Sequence, residues 1–437
     1  MAGYLRRATL AAALAPLLAI GMTGAAQAQA LAPAAQVDTG HTAWMLSATA
    51  LVLFMTLPGL ALFYGGLVRS KNVLSVMTHC VAVACLASVL WLMGGYSLAF
   101  SGAGPLIGDL AKFGLPGGRA AVAGRIPETV YFAFQMTFAI ITPALIIGAY
   151  VERIKFAAVL LFSGLWLYVV YAPVAHWVWG GGWLAQMGVM DYAGGLVVHA
   201  TAGVSSLVIV ALLGPRDGFP RDLHPPHNPG MTMMGAGMLW VGWYGFNAGS
   251  ALGANASAGS ALVATHLSAA TAGLVWAIVE RARFGRASMV GLVTGVVAGL
   301  ATVTPASGFV SPVAGVVLGA CGSLVCFMAV ELVKHRFKID DSLDVFAVHG
   351  VGGILGTLLV SMLASVKLGG VGYGAGMTMG RQIGVQALGV AAVCAWSAIA
   401  SLVLVLVCRA VVGLRVGDED LEEGLDMASH GERAYTI

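Results

Sequence analysis

The sequence predicts an all-α polytopic membrane protein with eleven transmembrane helices, and three observations carry that prediction. Of its 437 residues, 59% are hydrophobic and only 9% charged, whereas a soluble domain carries about 25% charged residues. Eleven apolar segments recur along the chain, most of them close to the ~20 residues a spanning helix needs. The Lys and Arg residues between them alternate in density from loop to loop, as the positive-inside rule requires of a chain threaded back and forth through a bilayer.

Residues 1–30 read as a secretory signal peptide. Arg6 and Arg7 precede an apolar run too short to span, and small residues end in an Ala-x-Ala site. Cleavage after Ala28 or Ala30 leaves the mature N-terminus outside; the alternative is an uncleaved first helix. The first two spans, 44–68 and 73–100, flank a turn with Arg69 and Lys71. The loop 101–126, with "GLPGGRAAVAGR", carries no motif and is assigned no role. Spans 127–149 and 156–179 flank Arg153 and Lys155. Spans 191–213 and 231–250 flank "GPRDGFPRDLHPPH" (214–227). Span 256–280 runs into Arg281, Arg283 and Arg286. Span 288–303 is short and stands alone only if "VTPASGFVSP" (303–312) is a turn. Spans 308–334 and 342–365 flank Lys334, Arg336 and Lys338, and span 380–411 leads into a tail, 412–437. Entering the first helix from outside puts 15 cations on inside loops and tail against 5 outside, the other two being Arg6 and Arg7. The N-terminus is therefore expected outside and the C-terminus inside.

The net charge is +3 and the cations form no block, which argues against a nucleic-acid partner. Six cysteines lie in or beside apolar runs without metal-site spacing and read as small packing residues. No metal or cofactor is expected. The 60 glycines suit close helix approach in lipid.

The chain also echoes itself. "LALFYGGLV" opens a first set of five helices and "LWVGWYGFNAG" a second, and each set closes on a histidine in an apolar run, His199 and His349. Five is odd, so the second set runs inverted, and inverted repeats place a site near the midplane where the halves meet. An ionisable side chain inside a spanning helix is a functional candidate. Two facing imidazoles can share a proton and offer their other nitrogens to a small polar solute; the alternative is that each ring bonds a neighbouring carbonyl. Asp191 precedes the fifth helix and has two readings, a cap on free backbone N–H groups or a source of negative field in an outer vestibule. Asp344 reads as a cap of the tenth helix.

"FYGGLVRSKNVLS" (63–75), "FQMTFAIITPALIIGAYVERIKF" (134–156), "HWVWGGGWL" (176–184), "DYAGGLVVH" (191–199), "GWYGFNAGSA" (242–251), "DDSLDVFAVHGVGG" (340–353) and "EEGLDMASHGERAY" (422–435) stand in this order. From about residue 44 to its end the chain resembles the ammonium transporter family of bacteria and plants. The resemblance implies a pseudo-twofold bundle of eleven helices over 44–411, a homotrimer in the inner membrane with one pore per subunit, and transport rather than enzymatic chemistry. It implies that His199 and His349 are paired pore histidines, that Phe138 and Phe246 cover the pore entrance, and that Trp179 and Ser250 form an outer ammonium site with Phe138, above Asp191. It also implies a nitrogen-signalling PII protein as partner on the cytoplasmic face around 214–227. A sensor reporting ammonium through such a PII protein is the alternative function. The tail segment "DEDLEEGLDMASHGERAY" (418–435) has two readings, a solvated end, or one that uses Leu421, Leu425 and Met427, with Gly424 as a flexible point, to lie on basic loops bearing Arg153, Lys155, Arg281, Arg283 and Arg286.

Overall fold

The computed structural model describes residues 37–221 and 224–435. The expected signal peptide, 1–30, lies outside the described residues. Each of the eleven apolar segments contains a helix: α1 Thr39–Leu67, α2 Ser70–Phe100, α3 Glu128–Tyr150, α4 Phe156–Gln186, α5 Gly195–Leu213, α6 Pro229–Gly249, α7 Ala256–Phe284, α8 Met289–Val303, α9 Pro312–Arg336, α10 Phe346–Leu363 and α11 Met379–Val411. Among the described residues, nine are long and apolar enough to cross a membrane; the others are the 15-residue α8 and the glycine-rich α6. A turn over 304–309 separates α8 from α9.

Caps decide where the helices begin, which hydrophobicity alone does not mark. Asp38 accepts from His41 N and starts α1 five residues before its apolar run. Asn228, Asn255, Ser288, Ser311 and Thr378 cap α6, α7, α8, α9 and α11 in the same way. The α4 segment breaks over 179–182.

The inverted repeat shows at the crossing of α5 and α10. Each begins with a single π turn, Gly195–Ala200 and Phe346–Gly350, that ends on or beside its histidine. Each then carries a glycine four residues after that histidine. A Cβ on Gly203 would overlap the Gly350 backbone, and one on Gly353 would lie 2.6 Å from His199 Cβ. Both contacts forbid a larger side chain, so the two helices meet backbone to backbone.

At one end of the bundle the short connections are locked by buried charge. Glu152, at φ 69, pairs with Arg69 and Arg216 and accepts from Asn72. Arg216 continues to Asp340. Burial alone would raise the Glu152 carboxyl, but Arg216 and Arg69 outweigh it and hold it below its ordinary value. Arg153 is wholly buried and donates to Ser342 Oγ, Asp340 O and Gly214 O.

The tail is folded onto this same end. Two short helices, α12 Asp418–Glu423 and α13 Leu425–His430, bury Leu421 and Leu425. Asp426 Oδ1 accepts from Ser75 N at 2.7 Å, Asn72 Oδ1 accepts from Leu425 N at 2.8 Å, and Lys71 Nζ donates to Leu421 O at 2.9 Å. His227 bonds Tyr435. This corrects the expected docking by charge on 281–286. Arg283 pairs with Glu331 instead, and the tail is held by Lys71, Asn72, Ser75 and His227, with Val416 N donating to Arg153 O. Met427 stays 37% exposed.

Gly203→Ala is expected to lower stability by ~1–3 kcal/mol, the usual cost of overpacking, whereas Gly237→Ala inside α6, whose Cβ meets nothing within 4 Å among the described residues, is expected to be neutral or stabilising by up to ~1 kcal/mol. Thermal unfolding of the two purified variants beside the parent protein checks this.

Candidate functional site

Three spaces lie in series through the bundle. The first is an open pocket of ≈ 270 Å³ walled by Tyr131, Gln135, Phe138, Trp179, Tyr192 and Ser250. Trp179 reaches it because α4 breaks there, and its indole N–H is anchored on Asp191 O at 2.9 Å. Its ring stands edge-on to Phe138, centroids 5.7 Å apart. Ser250, at the end of α6, donates to Phe246 O at 2.9 Å, so its oxygen keeps lone pairs for an incoming N–H. Gln135 Oε1 is buried without a partner among the described residues. Sequence reasoning missed this group, although it lies inside the motif that begins at Phe134.

The floor of this pocket is an aromatic pair. Phe138 from α3 and Phe246 from α6 stack with centroids 4.2 Å apart and planes 27° apart, each about 1% exposed. Beyond them is a narrow cavity of ≈ 10 Å³, with Ile141, Leu145, Val198, Leu239, Trp243, Phe246 and both histidines on its wall. That is about the least space that holds one water-sized molecule. His199 and His349 face each other there, Nδ1 to Nδ1 at 3.3 Å, with ring planes 16° apart. His199 also stacks on Trp243, whose indole N–H is fixed by Thr304. Such a contact needs a proton on one Nδ1 and a lone pair on the other. Two neutral rings then present one Nε2 acceptor and one Nε2–H donor. His199 Nε2 is buried with no partner among the described residues. The third space, ≈ 200 Å³, shares Phe63, Val297 and His349 with the second and opens past Arg216, His224, Lys334 and Asp344.

Two carboxylates hold the turns that carry the histidines. Asp191 is buried, and its Oδ1 accepts from Gly194 and Gly195 N (2.8 and 2.6 Å) while Oδ2 accepts from Leu196 and Val197 N (2.8 and 3.2 Å). On α10 the same task falls to Asp341, which accepts from Val345 and Phe346 N at 3.0 and 2.7 Å. The capping expected of Asp344 is therefore corrected. Asp344 sits at φ 62 and is ion-paired to Lys334, and the amides of Val345 and Phe346 that follow it are already taken by Asp341. Among the described residues no group of three His, Cys, Asp or Glu is placed to hold a metal ion.

The model of the Ammonium Transporter Family matches residues 43–435. The chain belongs to this family. It is 45% identical to an ammonium transporter of Aquifex aeolicus, over 93% of this chain and 96% of that one. It is 42% identical to an ammonium transporter of Bacillus subtilis, over 91% and 99%. Among solved structures it is similar to one described as a sensor Amt protein, at 30% identity and TM-score 0.84, covering 90% of this chain and 98% of that one. It is also similar to Mep2 of Candida albicans, at 34% identity and TM-score 0.81, covering 88% of each. Like the family, the chain is a multi-pass membrane protein.

Within this family member, the geometry makes Asp191 a four-bond cap whatever else it does. Asn offers one acceptor oxygen in place of two, and Glu sets the carboxylate one methylene too far. Both Asp191→Asn and Asp191→Glu are expected to destabilise the protein by roughly 1–3 kcal/mol, the cost of buried N–H groups left unpaired. Thermal unfolding checks it; a wild-type melting temperature in Asp191→Asn with transport lost would assign the acid to charge rather than capping.

Proposed function

We propose that this chain recruits ammonium from outside at Trp179, Ser250 and Phe138, that the ion gives its proton to the outside solution through this open pocket, and that the ammonia left behind passes Phe138 and Phe246 and the pair His199 and His349 to the inside. Membership of the family supports ammonium as the transported species and transport rather than enzymatic chemistry. The observation that carries the mechanism is the narrow cavity with both histidines on its wall, set between two open ends. Stripping and burying an ammonium ion costs many kcal/mol. The faces of Phe138 and Trp179 each offset ~0.5–2 kcal/mol, and Ser250 accepts one N–H. The apolar cavity beyond disfavours charge, so the species that passes is neutral ammonia, which gives its N–H to one imidazole and its lone pair to the other. Potassium has no proton to lose and stops at the pocket.

The same reading gives eleven crossings within 44–411, the N-terminus outside after signal cleavage, the tail 412–437 in the cytoplasm, and a homotrimer in the bacterial inner membrane. A second reading is an ammonium sensor signalling through a PII protein, favoured by the likeness to the sensor Amt structure; growth rescue of transport-deficient cells on low ammonium separates the two.

His199→Ala and His349→Ala are each expected to cut ammonium flux about tenfold, the effect of losing one hydrogen bond of ~1–1.5 kcal/mol to the passing ammonia, while the protein still purifies as a folded oligomer. Normal flux in both variants, measured as labelled ammonium uptake into liposomes, would remove the histidine pore.

The docked tail meets this connection at His227, which bonds Tyr435, and we assign the tail together with 214–227 as the PII contact. Deleting 418–437 removes the bonds to Lys71, Asn72 and Ser75, and is expected to alter transport and weaken PII binding without unfolding the bundle. Pull-down and uptake on truncated and intact protein check it, and unchanged results in both would leave the tail without either role.

A further inference from the structure

The cavity beyond the histidines contains a charge pair that the pathway leaves unused. Lys334 and Asp344 stand on the same wall as His349. Lys334 Nζ lies 2.7 and 2.8 Å from the two carboxylate oxygens of Asp344, and the side chains are only 15% and 21% exposed.

Both residues are brought there by local irregularities. Lys334 comes from a π turn, Leu332–Arg336, at the end of α9. Asp344 holds φ 62, a backbone region that side chains other than glycine seldom adopt and that gathers at functional positions. The helix that follows does not need this acid, because Asp341 already caps it. Nor does Arg216 on the same wall, which is matched by Glu152 and Asp340. The charge that Asp344 turns to the cavity is balanced by Lys334.

A lysine head group is a primary ammonium on a flexible stem, a compact cation with three N–H donors. It is the nearest side-chain equivalent of the ammonium ion. A largely buried carboxylate at the mouth of a pore would hold either one, and a tethered cation acts at an effective concentration far above that of a dilute free one.

We propose that Asp344 is an ammonium-binding site at the inward mouth of the pore and that Lys334 is its built-in competitor, filling the carboxylate so that product leaves freely and cytoplasmic ammonium does not lodge there. This rests on reading the cavity as the inward end of the transport path. Lys334 is then a specificity-determining residue for direction of release, with no part in the proton chemistry at the outer pocket.

The test uses full-length protein in liposomes oriented with the tail side facing the lumen. Initial uptake of ¹⁵N-ammonium is measured against increasing unlabelled ammonium inside. In Lys334→Gln, luminal ammonium is expected to inhibit at about five- to tenfold lower concentration than in the parent, within the usual range for coupling between two sites. The double variant Lys334→Gln with Asp344→Asn is expected to return to the parental value, and Lys334→Arg to keep it. Lys334→Met replaces Lys334→Gln, with the same expectation, if that variant fails to fold. Unchanged luminal inhibition in Lys334→Gln, or heightened inhibition that persists in the double variant, overturns the proposal. Uptake by the parent protein into ammonium-free liposomes reads the pore itself, and its absence would overturn the transport reading and this inference with it.

Discussion

The pairing of His199 with His349 depends on how closely α5 and α10 cross. Gly203 lies against Gly350, and Gly353 against His199 and Gly195 O, so no side chain separates the two backbones there. Only that approach lets Nδ1 of His199 come within 3.3 Å of Nδ1 of His349. The crossing needs both helices to begin inside the bundle, where their first N–H groups have no water to turn to. Asp191 and Asp341 supply the missing acceptors from within the fold. Caps, π turns, glycines and histidines thus form one device, repeated twice and inverted.

In the proposed mechanism the three spaces around this device divide the energetic problem of moving ammonium. A charged solute is favoured where the path is open and aromatic faces and a hydroxyl are near, at Trp179, Phe138 and Ser250. It is disfavoured where the walls are apolar and the space admits about one small molecule. The stacked Phe138 and Phe246 stand at the boundary between the two regimes. At the far end, charge returns to the walls, but as matched pairs, Arg216 with Glu152 and Asp340, and Lys334 with Asp344.

The helices and the two histidines were legible because each contrasts with its surroundings: apolar runs against polar turns, and a titratable ring against Gly, Ala and Val. The aromatic pair and the Trp179 pocket were legible only through family motifs, since a lone Phe in an apolar helix carries no signal of its own. Other features had a signal that went unread. Asp341 precedes His349 by eight residues just as Asp191 precedes His199, and that spacing marks the second cap more firmly than the neighbouring Asp344 does. Docking of the tail through Leu421 and Leu425 was one of two readings open in the sequence, but its partners could not be read, because they are backbone groups of Ser75 and Leu425 some 350 positions apart rather than the complementary charge that composition displays. Helix starts such as Thr39 shifted for a similar reason: a capping oxygen fixes them, and hydropathy does not register it.

The central claim is that the histidine-lined cavity admits a neutral molecule and excludes a cation of the same size. Its most direct test is the flux of ¹⁵N-ammonium and of rubidium, a potassium surrogate, through the same purified protein in liposomes of defined composition. Saturable ammonium entry with no protein-dependent rubidium entry at any gradient is the expected result. Rubidium moving at a rate comparable to ammonium would contradict it, because a path that carries a bare cation does not work by removing a proton.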